Sequence, residues 1–303
     1  MLQQLINGLS LGAMYALIAL GYTMVYGVLK LINFAHGEVF MCGAFLGLAA
    51  LAGFHLPLAL ALPFAMIGAA LLGIVIERGA YRPLRSSPRL SALITAIGVS
   101  LLLQNLGVLI LGAAPQSYPA AISADPVPFL QSRFGLIVTY QQVFIVLATA
   151  AILVLLHLIV SRTKVGKAMR AVSEDRQAAQ LMGINVDRII SFTFGLGSAI
   201  AAAGGVFYGI YYGTADPLMG LMPGIKAFVA AVLGGIGSIP GAMLGGVLMG
   251  LVETGVSSVT LHVSPTVTFT GSTLRDAVAF SVLILVLLVR PAGLLGRAAR
   301  EKV

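Results

Sequence analysis

The chain has 303 residues, of which 59% are hydrophobic and only 9% are charged, and its formal net charge is +8. Several apolar runs are long enough to cross a bilayer as a helix, which takes about 20 residues. Cys42 is the only cysteine, so neither a disulfide nor a thiolate metal cluster can form within the chain. The composition therefore excludes an ordinary soluble domain and indicates an integral membrane protein. Its basic residues are confined to a few loops, a distribution that reports orientation in a membrane and not binding of nucleic acid.

Nine apolar segments are predicted as membrane spans. They cover residues 5–29, 38–54, 56–76, 90–113, 140–160, 189–212, 224–239, 241–258 and 276–289. These segments are apolar on every side, whereas strands of a membrane barrel would alternate, so the spans are predicted to be helices. The second, seventh and eighth are short or glycine-rich, which leaves open half-helices or a re-entrant pair among them. The expected fold is all-α, a polytopic transmembrane bundle of about eight spans (eight or nine) that forms one transmembrane domain over residues 1–303.

The loops differ in their content of basic residues. Four arginines lie in the loop 77–89, six basic residues lie in the loop 161–188, and the tail holds Arg290, Arg297, Arg300 and Lys302. The loops 114–139 and 213–223 carry few charges. Because short cytoplasmic loops are enriched in Lys and Arg, the first three segments are predicted to be cytoplasmic and the last two to lie on the opposite side. Counting spans backwards then places the amino terminus outside.

The segment from Lys167 to Arg188 is unusually polar, with 7 charged residues among its 22. Its residues favour helix as far as Met182, and Gly183 can supply a left-handed stop. A short helix exposed at a membrane surface is marginal on its own. The segment is therefore predicted to be one amphipathic helix that docks on a partner, the alternative being a solvated connector.

Small and polar residues within the spans are candidates for helix packing or for a translocation path. Small residues recur every fourth position at Gly205 and Gly209 in the sixth span, and at Gly237, Gly241 and Gly245 in the seventh and eighth. Gln104, Asn105 and Glu253 are polar positions within apolar runs. Ordinary packing is the simpler interpretation of the glycines, and a hydrogen-bonded structural amide is the simpler one for Gln104 and Asn105. For Glu253, an interfacial position, a pairing with another chain and a role in the path stay open.

Motifs for catalysis or metal binding are not found. His36 and Glu38 stand together after the first span, but there is no HExxH and no second histidine at ligand spacing, so a turn with Glu38 near a helix start is the better interpretation. The sequence also has no P-loop, no GxSxG motif and no pair of intramembrane aspartates. We therefore expect no enzyme activity, no metal and no cofactor on this chain itself.

Four stretches carry a resemblance to a known family. QAAQLMG (177–183) is similar to the E-A-A-x-x-x-G cytoplasmic motif of ABC-importer permeases, although Gln177 replaces the first glutamate. The other three stretches are ALIALGYTMVYGVLKLINFAHGEVFM, ERGAYRPLRSSPRLSALITAIGVSLLLQN and KAFVAAVLGGIGSIPGAMLGG. Together they resemble LivH-type permeases of the high-affinity branched-chain amino acid ABC importers, over nearly the whole chain.

The resemblance implies a multi-pass subunit of a heteromeric complex in the bacterial inner membrane. Its partners would be a homologous LivM-type permease, two ATP-binding subunits of LivG and LivF type that hold ATP and Mg²⁺, a periplasmic substrate-binding protein and membrane lipid, with no nucleic acid. By position, the residues of the ATPase-coupling contact would be Arg170, Glu174, Asp175, Ala178, Ala179 and Gly183. The substrate would be leucine, isoleucine or valine.

Two other classes of function are alternatives to a branched-chain amino acid permease. Permeases of the same broad family import urea, short-chain amides or other small solutes, and the permease sequence need not distinguish these substrates. A stand-alone channel or secondary transporter would be expected to place charged residues in mid-span for ion coupling. Apart from Glu253 and Lys226, the spans carry none, so this class is disfavoured.

Overall fold

The computed structural model describes residues 2–85, 87–258, 260–264 and 267–296. The helices are α1 (Leu2–Leu29), α2 (His36–Leu48), α3 (Leu58–Ile76), α4 (Arg89–Leu111), α5 (Pro128–Phe134), α6 (Tyr140–Arg162), α7 (Lys164–Glu174), α8 (Arg176–Leu181), α9 (Val186–Tyr212), α10 (Leu221–Gly234), α11 (Ile239–Ser257) and α12 (Arg275–Val289). The strands are β1 (Gln116–Ser117), β2 (Thr214–Ala215), β3 (Thr260–Ser264) and β4 (Val267–Thr270), paired antiparallel as β1–β2 and β3–β4. A π-helical turn, Ala49–Gly53, extends α2, and another, Glu77–Tyr81, extends α3. The 3-10 turns Arg82–Leu84 and Gly271–Leu274 complete the elements.

The prediction of an all-α membrane bundle is confirmed. Each of the nine predicted apolar segments corresponds to one helix, namely α1, α2, α3, α4, α6, α9, α10, α11 and α12. In the described part of the chain, seven helical segments are long and apolar enough to cross a membrane: α1, α2 with its π-helical turn, α3 with the turns that follow it, α4, α6, α9 and α11. The chain is therefore a multi-pass membrane protein.

The bundle has two ends, which can be told apart by the loops they carry. At the proline-loop end, defined by residues 112–139, the side-chain amide of Gln3 donates to the carbonyl of Ile137 at 2.8 Å. At the basic-loop end, defined by residues 163–185, Arg176 donates to the last carbonyls of α1. The strand pair β1–β2 places the segment after α9 at the proline-loop end. The loops are thus grouped as the distribution of basic residues predicts, and α1 begins on the side of the proline-rich loop.

The tail was predicted to join the basic loops. Arg290 follows α12, and Leu294 donates its backbone N–H to Leu233 near the end of α10 at 2.9 Å, so this part lies at the basic-loop end. Arg297, Arg300 and Lys302 lie outside the described residues.

Two of the short segments, α2 and α10, begin halfway through the bundle. His36, the first residue of α2, packs against Gly21 in the middle of α1, where a Cβ would lie 2.0 Å from its Nε2. The starts of the two helices touch, because a Cβ on Gly37 would lie 2.4 Å from the carbonyl oxygen of Gly220. From this junction α2 runs to the proline-loop end and α10 runs to the basic-loop end. The second and seventh predicted spans therefore start inside the bundle, and we call α2 and α10 half-helices for this reason, although α2 with its π-helical turn has the length to cross a membrane. The eighth, α11, crosses fully along α1.

The chain contains an inverted repeat built around these half-helices. In the first quartet a long helix (α1) is followed by a half-helix (α2) and two further helices (α3, α4); α9–α12 repeat this order in the opposite direction. The third helix of each quartet packs on the long helix of the other, α11 on α1 and α3 on α9. Such repeats are common in transporters, where they form two related halves around a central region.

Candidate functional site

The polar loop after α6 folds as two helices, where the sequence predicted one. The helix α7 ends at Glu174, and Asp175 adopts an extended conformation with φ −150° and ψ 114°. Its carboxylate accepts hydrogen bonds from the backbone N–H groups of Gln177 at 2.8 Å and Ala178 at 3.0 Å. Aspartate is a strong N-cap because its side chain satisfies these otherwise unpaired donors. This cap breaks the predicted helix and starts α8 in a new direction.

Gly183 ends α8 with a left-handed turn, as its position suggested. Its φ is +82°, and a Cβ built on it would meet no atom within 4 Å. The N–H of Gly183 donates to Gln180 and that of Ile184 donates to Ala179, each at 3.0 Å. The turn therefore depends on the glycine for its backbone conformation and not for space.

The tip of α8 projects from the bundle. Leu181 is 88% exposed and Met182 is 82% exposed, whereas Ala179 on the opposite face is buried. Of the other predicted coupling residues, Arg170, Glu174, Asp175, Ala178 and Gly183 are exposed. Two large apolar side chains held out together at the capped end of a short helix form an exposed apolar patch, and such patches often mark protein interaction sites. Leu181 and Met182 were not among the residues chosen from the sequence, although a pair of large apolar residues before a glycine stop was a usable signal.

Arg176 points in the opposite direction from this tip and was also missed. Its Nη2 donates to the carbonyl oxygen of Val28 at 3.1 Å and to that of Leu29 at 2.7 Å. These are the last carbonyls of α1, which have no partner within their own helix. Burial, and then the nearby charge of Arg85, hold the pKa of Arg176 below its ordinary value. The guanidinium therefore closes the end of α1 from a residue more than 140 positions away.

A group of ion pairs fixes the start of α9 beside this loop. Glu77, which is fully buried, pairs with Arg85 and accepts a hydrogen bond from the Ser191 hydroxyl at 2.5 Å. Asp187 pairs with both Arg82 and Arg85. The pairs join the turn after α3 to the start of α9, and α7 and α8 pack against this base through α9. Between this base and α7 lies a cavity of about 400 Å³ whose lining includes Leu29, Lys30, Arg85, Glu174 and Arg176.

Glu253 lies in the interior of the bundle and is paired within the chain. Its carboxylate accepts from the hydroxyl of Tyr15 at 2.8 Å and from Lys226 at 2.8 Å. Lys226 also pairs with Asp276 at 2.8 Å. Glu253 and Lys226 are both buried, while the Asp276 side chain is 51% exposed. The cluster ties α1, α10, α11 and α12 together.

Three of the five candidate glycines allow helices to touch, and a fourth, Gly209, makes room for a ring from the proline-rich loop. A Cβ on Gly205 would lie 2.2 Å from the carbonyl oxygen of Phe40, and one on Gly209 would lie 2.5 Å from the Tyr118 ring. Likewise, a Cβ on Gly241 would lie 2.3 Å from the carbonyl oxygen of Gly234. A Cβ on Gly245 would lie 2.0 Å from the carbonyl oxygen of Ala230. By contrast, Gly237 has open space and a φ of +94°, so it serves the turn between α10 and α11. These contacts lie inside the chain and give each glycine a packing or turn function.

Gln104 and Asn105 lie on α4, away from the Glu253 cluster. Gln104 is half-buried, and Asn105 is exposed with its side-chain amide donating to the carbonyl of Leu101 at 2.7 Å. The helix α4 packs against α2, and most of its surface is apolar and exposed. That surface is available to lipid or to another membrane subunit.

Comparisons with known proteins give the family of this chain. A family model described as "Branched-chain amino acid transport system / permease component" matches residues 4–287. The high-affinity branched-chain amino acid transport system permease protein BraD of Pseudomonas aeruginosa is 46% identical over 100% of this chain and 98% of its own length. LivH of Escherichia coli, the permease protein with the same description, is 44% identical over 100% and 97%. Among solved structures, PsaBC from Streptococcus pneumoniae in complex with Fab has a TM-score of 0.48 and 14% identity, over 94% of this chain and 91% of that one. The chain belongs to the family of branched-chain amino acid transport system permease components.

Proposed function

We propose that this chain is the permease subunit of an ABC importer that moves leucine, isoleucine and valine across the bacterial inner membrane. The observation that carries the proposal is a full-length match to permeases of this type, 46% identical to one of them. The structure supports it with a bundle whose basic-loop end carries a projecting helix tip with two exposed apolar side chains, a surface suited to docking. ATP hydrolysis would take place on partner subunits, because the sequence contains no P-loop.

The partners that the family resemblance implies would bind at the two ends and on the sides of the bundle. At the basic-loop end, two ATP-binding subunits of LivG and LivF type would hold ATP and Mg²⁺ and receive the tip of α8. At the proline-loop end, a periplasmic binding protein would deliver the substrate. A LivM-type permease would cover part of the exposed apolar surface of the helices, and lipid would cover the rest.

The proposed coupling contact is the exposed surface around α8. Here Glu174, Asp175, Ala178 and Gly183 would face the ATP-binding subunit, together with Arg170 nearby and the two apolar residues Leu181 and Met182. The buried Ala179 would support this surface from below. Closure of the ATP-binding pair would move α8, and the bundle would change from outward-facing to inward-facing.

The direct test is uptake by the reconstituted complex. Proteoliposomes that contain this chain, the second permease and both ATP-binding subunits should accumulate radiolabelled leucine only when ATP and the binding protein are supplied. Unlabelled isoleucine and valine should compete, whereas urea and acetamide should not. Competition by urea or an amide, with no effect of valine, would assign the chain to another substrate of the family.

A second preparation tests the class of transporter. Liposomes that contain this chain alone should show no leucine flux, with or without a proton or sodium gradient. Gradient-driven flux through the single subunit would show a secondary transporter and overturn the proposal.

A further inference from the structure

One side chain connects the proposed coupling surface to the transmembrane core. In the described part of the chain, Arg176 is the only residue of α8 whose side chain hydrogen-bonds outside α7 and α8. Its two acceptors are carbonyl oxygens at the end of α1. We propose that Arg176 is the positioning residue that transmits displacement of α8 to α1, an inference that rests on the proposed function.

The chemistry of the contact favours a strong attachment between α8 and α1. The last carbonyls of a helix carry partial negative charge, so a cation is favoured there. A guanidinium can reach two such carbonyls at once with its planar array of donors, whereas an ammonium is a compact point charge that does not reproduce this geometry. Hydrogen bonds to a charged donor are also stronger than neutral ones. The contact therefore resists both pulling and sliding of α8 relative to α1.

The contact lies at the end of α1 that is joined by a short segment to the half-helix α2. Directly after Leu29 the chain reverses at Lys30, whose φ is 57°, and residues 31–35 lead back to the start of α2. The hydroxyl of Tyr81 donates to the Asn33 side chain at 2.8 Å, which anchors this return segment beside α3. A displacement of the end of α1 should therefore move residues 31–35, the segment that positions the junction of α2 and α10.

The rest of α1 is packed tightly enough to carry such a displacement. A Cβ on Gly12 would lie 2.7 Å from the Cα of Val247, and one on Gly246 would lie 2.5 Å from the Cα of Ala16. Where the backbones of two helices are in direct contact, the helices cannot shift relative to each other by rearranging side chains alone. Movement at Leu29 should therefore pass along α1 into α11 and not be absorbed by loose side chains.

The test separates hydrolysis from transport. In proteoliposomes with the full complex, Arg176→Gln should keep ATP hydrolysis stimulated by the binding protein, while the number of leucine molecules transported per ATP falls by about tenfold, the effect of losing a charged hydrogen bond. The number of leucine molecules transported per ATP by Arg176→Lys should lie between the values for wild type and Arg176→Gln. The matched control is Arg188→Gln, since Arg188 is exposed and its guanidinium forms no hydrogen bond or ion pair with the described residues. The number of leucine molecules transported per ATP by this control should equal that of wild type.

Other outcomes would contradict either the role of Arg176 or the proposed function. An unchanged ratio in both Arg176 variants would overturn the inference. An equal loss of hydrolysis and transport in Arg176→Lys would also overturn it, because Arg176 would then serve only assembly. If the Gln variant fails to assemble, the Lys variant decides the question by its ratio. Failure of the wild-type complex to transport leucine would contradict the proposed function itself, a result that the variants cannot mimic.

Discussion

Tyr15 on α1 donates its phenolic hydrogen to Glu253 on α11 at 2.8 Å, across 238 positions of the chain. The second oxygen of the same carboxylate accepts from Lys226 on α10. Both charged residues are buried, so each depends on the other for its charge to be tolerated. The cluster is therefore expected to act as one unit in stability.

The first prediction concerns this cluster. Glu253→Ala should destabilise the purified chain by about 3 kcal/mol, because it removes the buried partner of Lys226, leaves only the half-exposed Asp276 beside it, and takes away the acceptor of the Tyr15 hydroxyl. Thermal unfolding in detergent, followed by size-exclusion fluorescence, measures the change. The double variant Glu253→Gln with Lys226→Met should recover most of the loss, since no uncompensated buried charge remains. A double variant as unstable as Glu253→Ala would show that the charges themselves are not what matters.

The second prediction concerns the contact between α1 and α11. A Cβ on Gly250 would lie 2.2 Å from the backbone nitrogen of Gly12. Gly250→Ala should therefore cost about 1–3 kcal/mol through overpacking. Gly255→Ala on the same helix should be neutral or stabilise by up to about 1 kcal/mol, because a Cβ there meets no atom within 4 Å. Equal melting temperatures for the two variants would contradict the packing derived from the structure.

The sequence predicted the elements well because hydrophobic length is a local property. Each of the nine apolar segments corresponds to a helix, and the shortness of the second and seventh pointed to the half-helices α2 and α10. The number of charged residues likewise grouped the loops correctly. These features depend on stretches of about 20 residues, the length that the bilayer imposes.

The contacts that define the site were not predictable in this way. Arg176 is separated from Val28 by 148 positions, and nothing in the sequence around either residue signals their contact. Glu253 was recognised as a polar residue in a span, but its partners Tyr15 and Lys226 come from two other helices. The break at Asp175 was missed for a different reason: the neighbouring residues favour a continuous helix, and only the capping geometry of Asp175 shows where the new helix begins.

The third prediction concerns that cap. Asp175→Ala should destabilise α8 by about 1 kcal/mol, since the N–H groups of Gln177 and Ala178 lose their acceptor. Asp175→Asn should retain the cap, because asparagine is an equally good N-cap residue. Hydrogen exchange of the 176–183 backbone amides should therefore be faster in the Ala variant than in the Asn variant. If both variants exchange like wild type, α8 does not depend on this side chain.

The fourth prediction concerns the end of α8. Gly183→Val should abolish ATP-dependent leucine uptake, because a β-branched residue is strongly disfavoured at a φ of +82°. Gly183→Asn should retain most of the uptake, since asparagine tolerates the left-handed conformation. Immunoblots of membranes should show equal amounts of both variants. Full uptake by the Val variant at equal amounts would exclude a role for this turn in coupling.

The last prediction concerns the exposed tip. Leu181→Ser together with Met182→Ser should change the free energy of unfolding of the isolated chain by less than about 0.5 kcal/mol and so leave its melting temperature nearly unchanged, because both side chains are already exposed to solvent. The same double variant should lose co-purification with the ATP-binding subunits, since large apolar side chains at the centre of an interface supply much of its binding energy. Gln180→Ser, at an exposed neighbouring position on the same helix, is the matched control and should co-purify normally. Retention of the ATP-binding subunits by the double variant would place the docking contact elsewhere on the basic-loop end, and a lowered melting temperature would mean that the tip packs against the chain's own bundle.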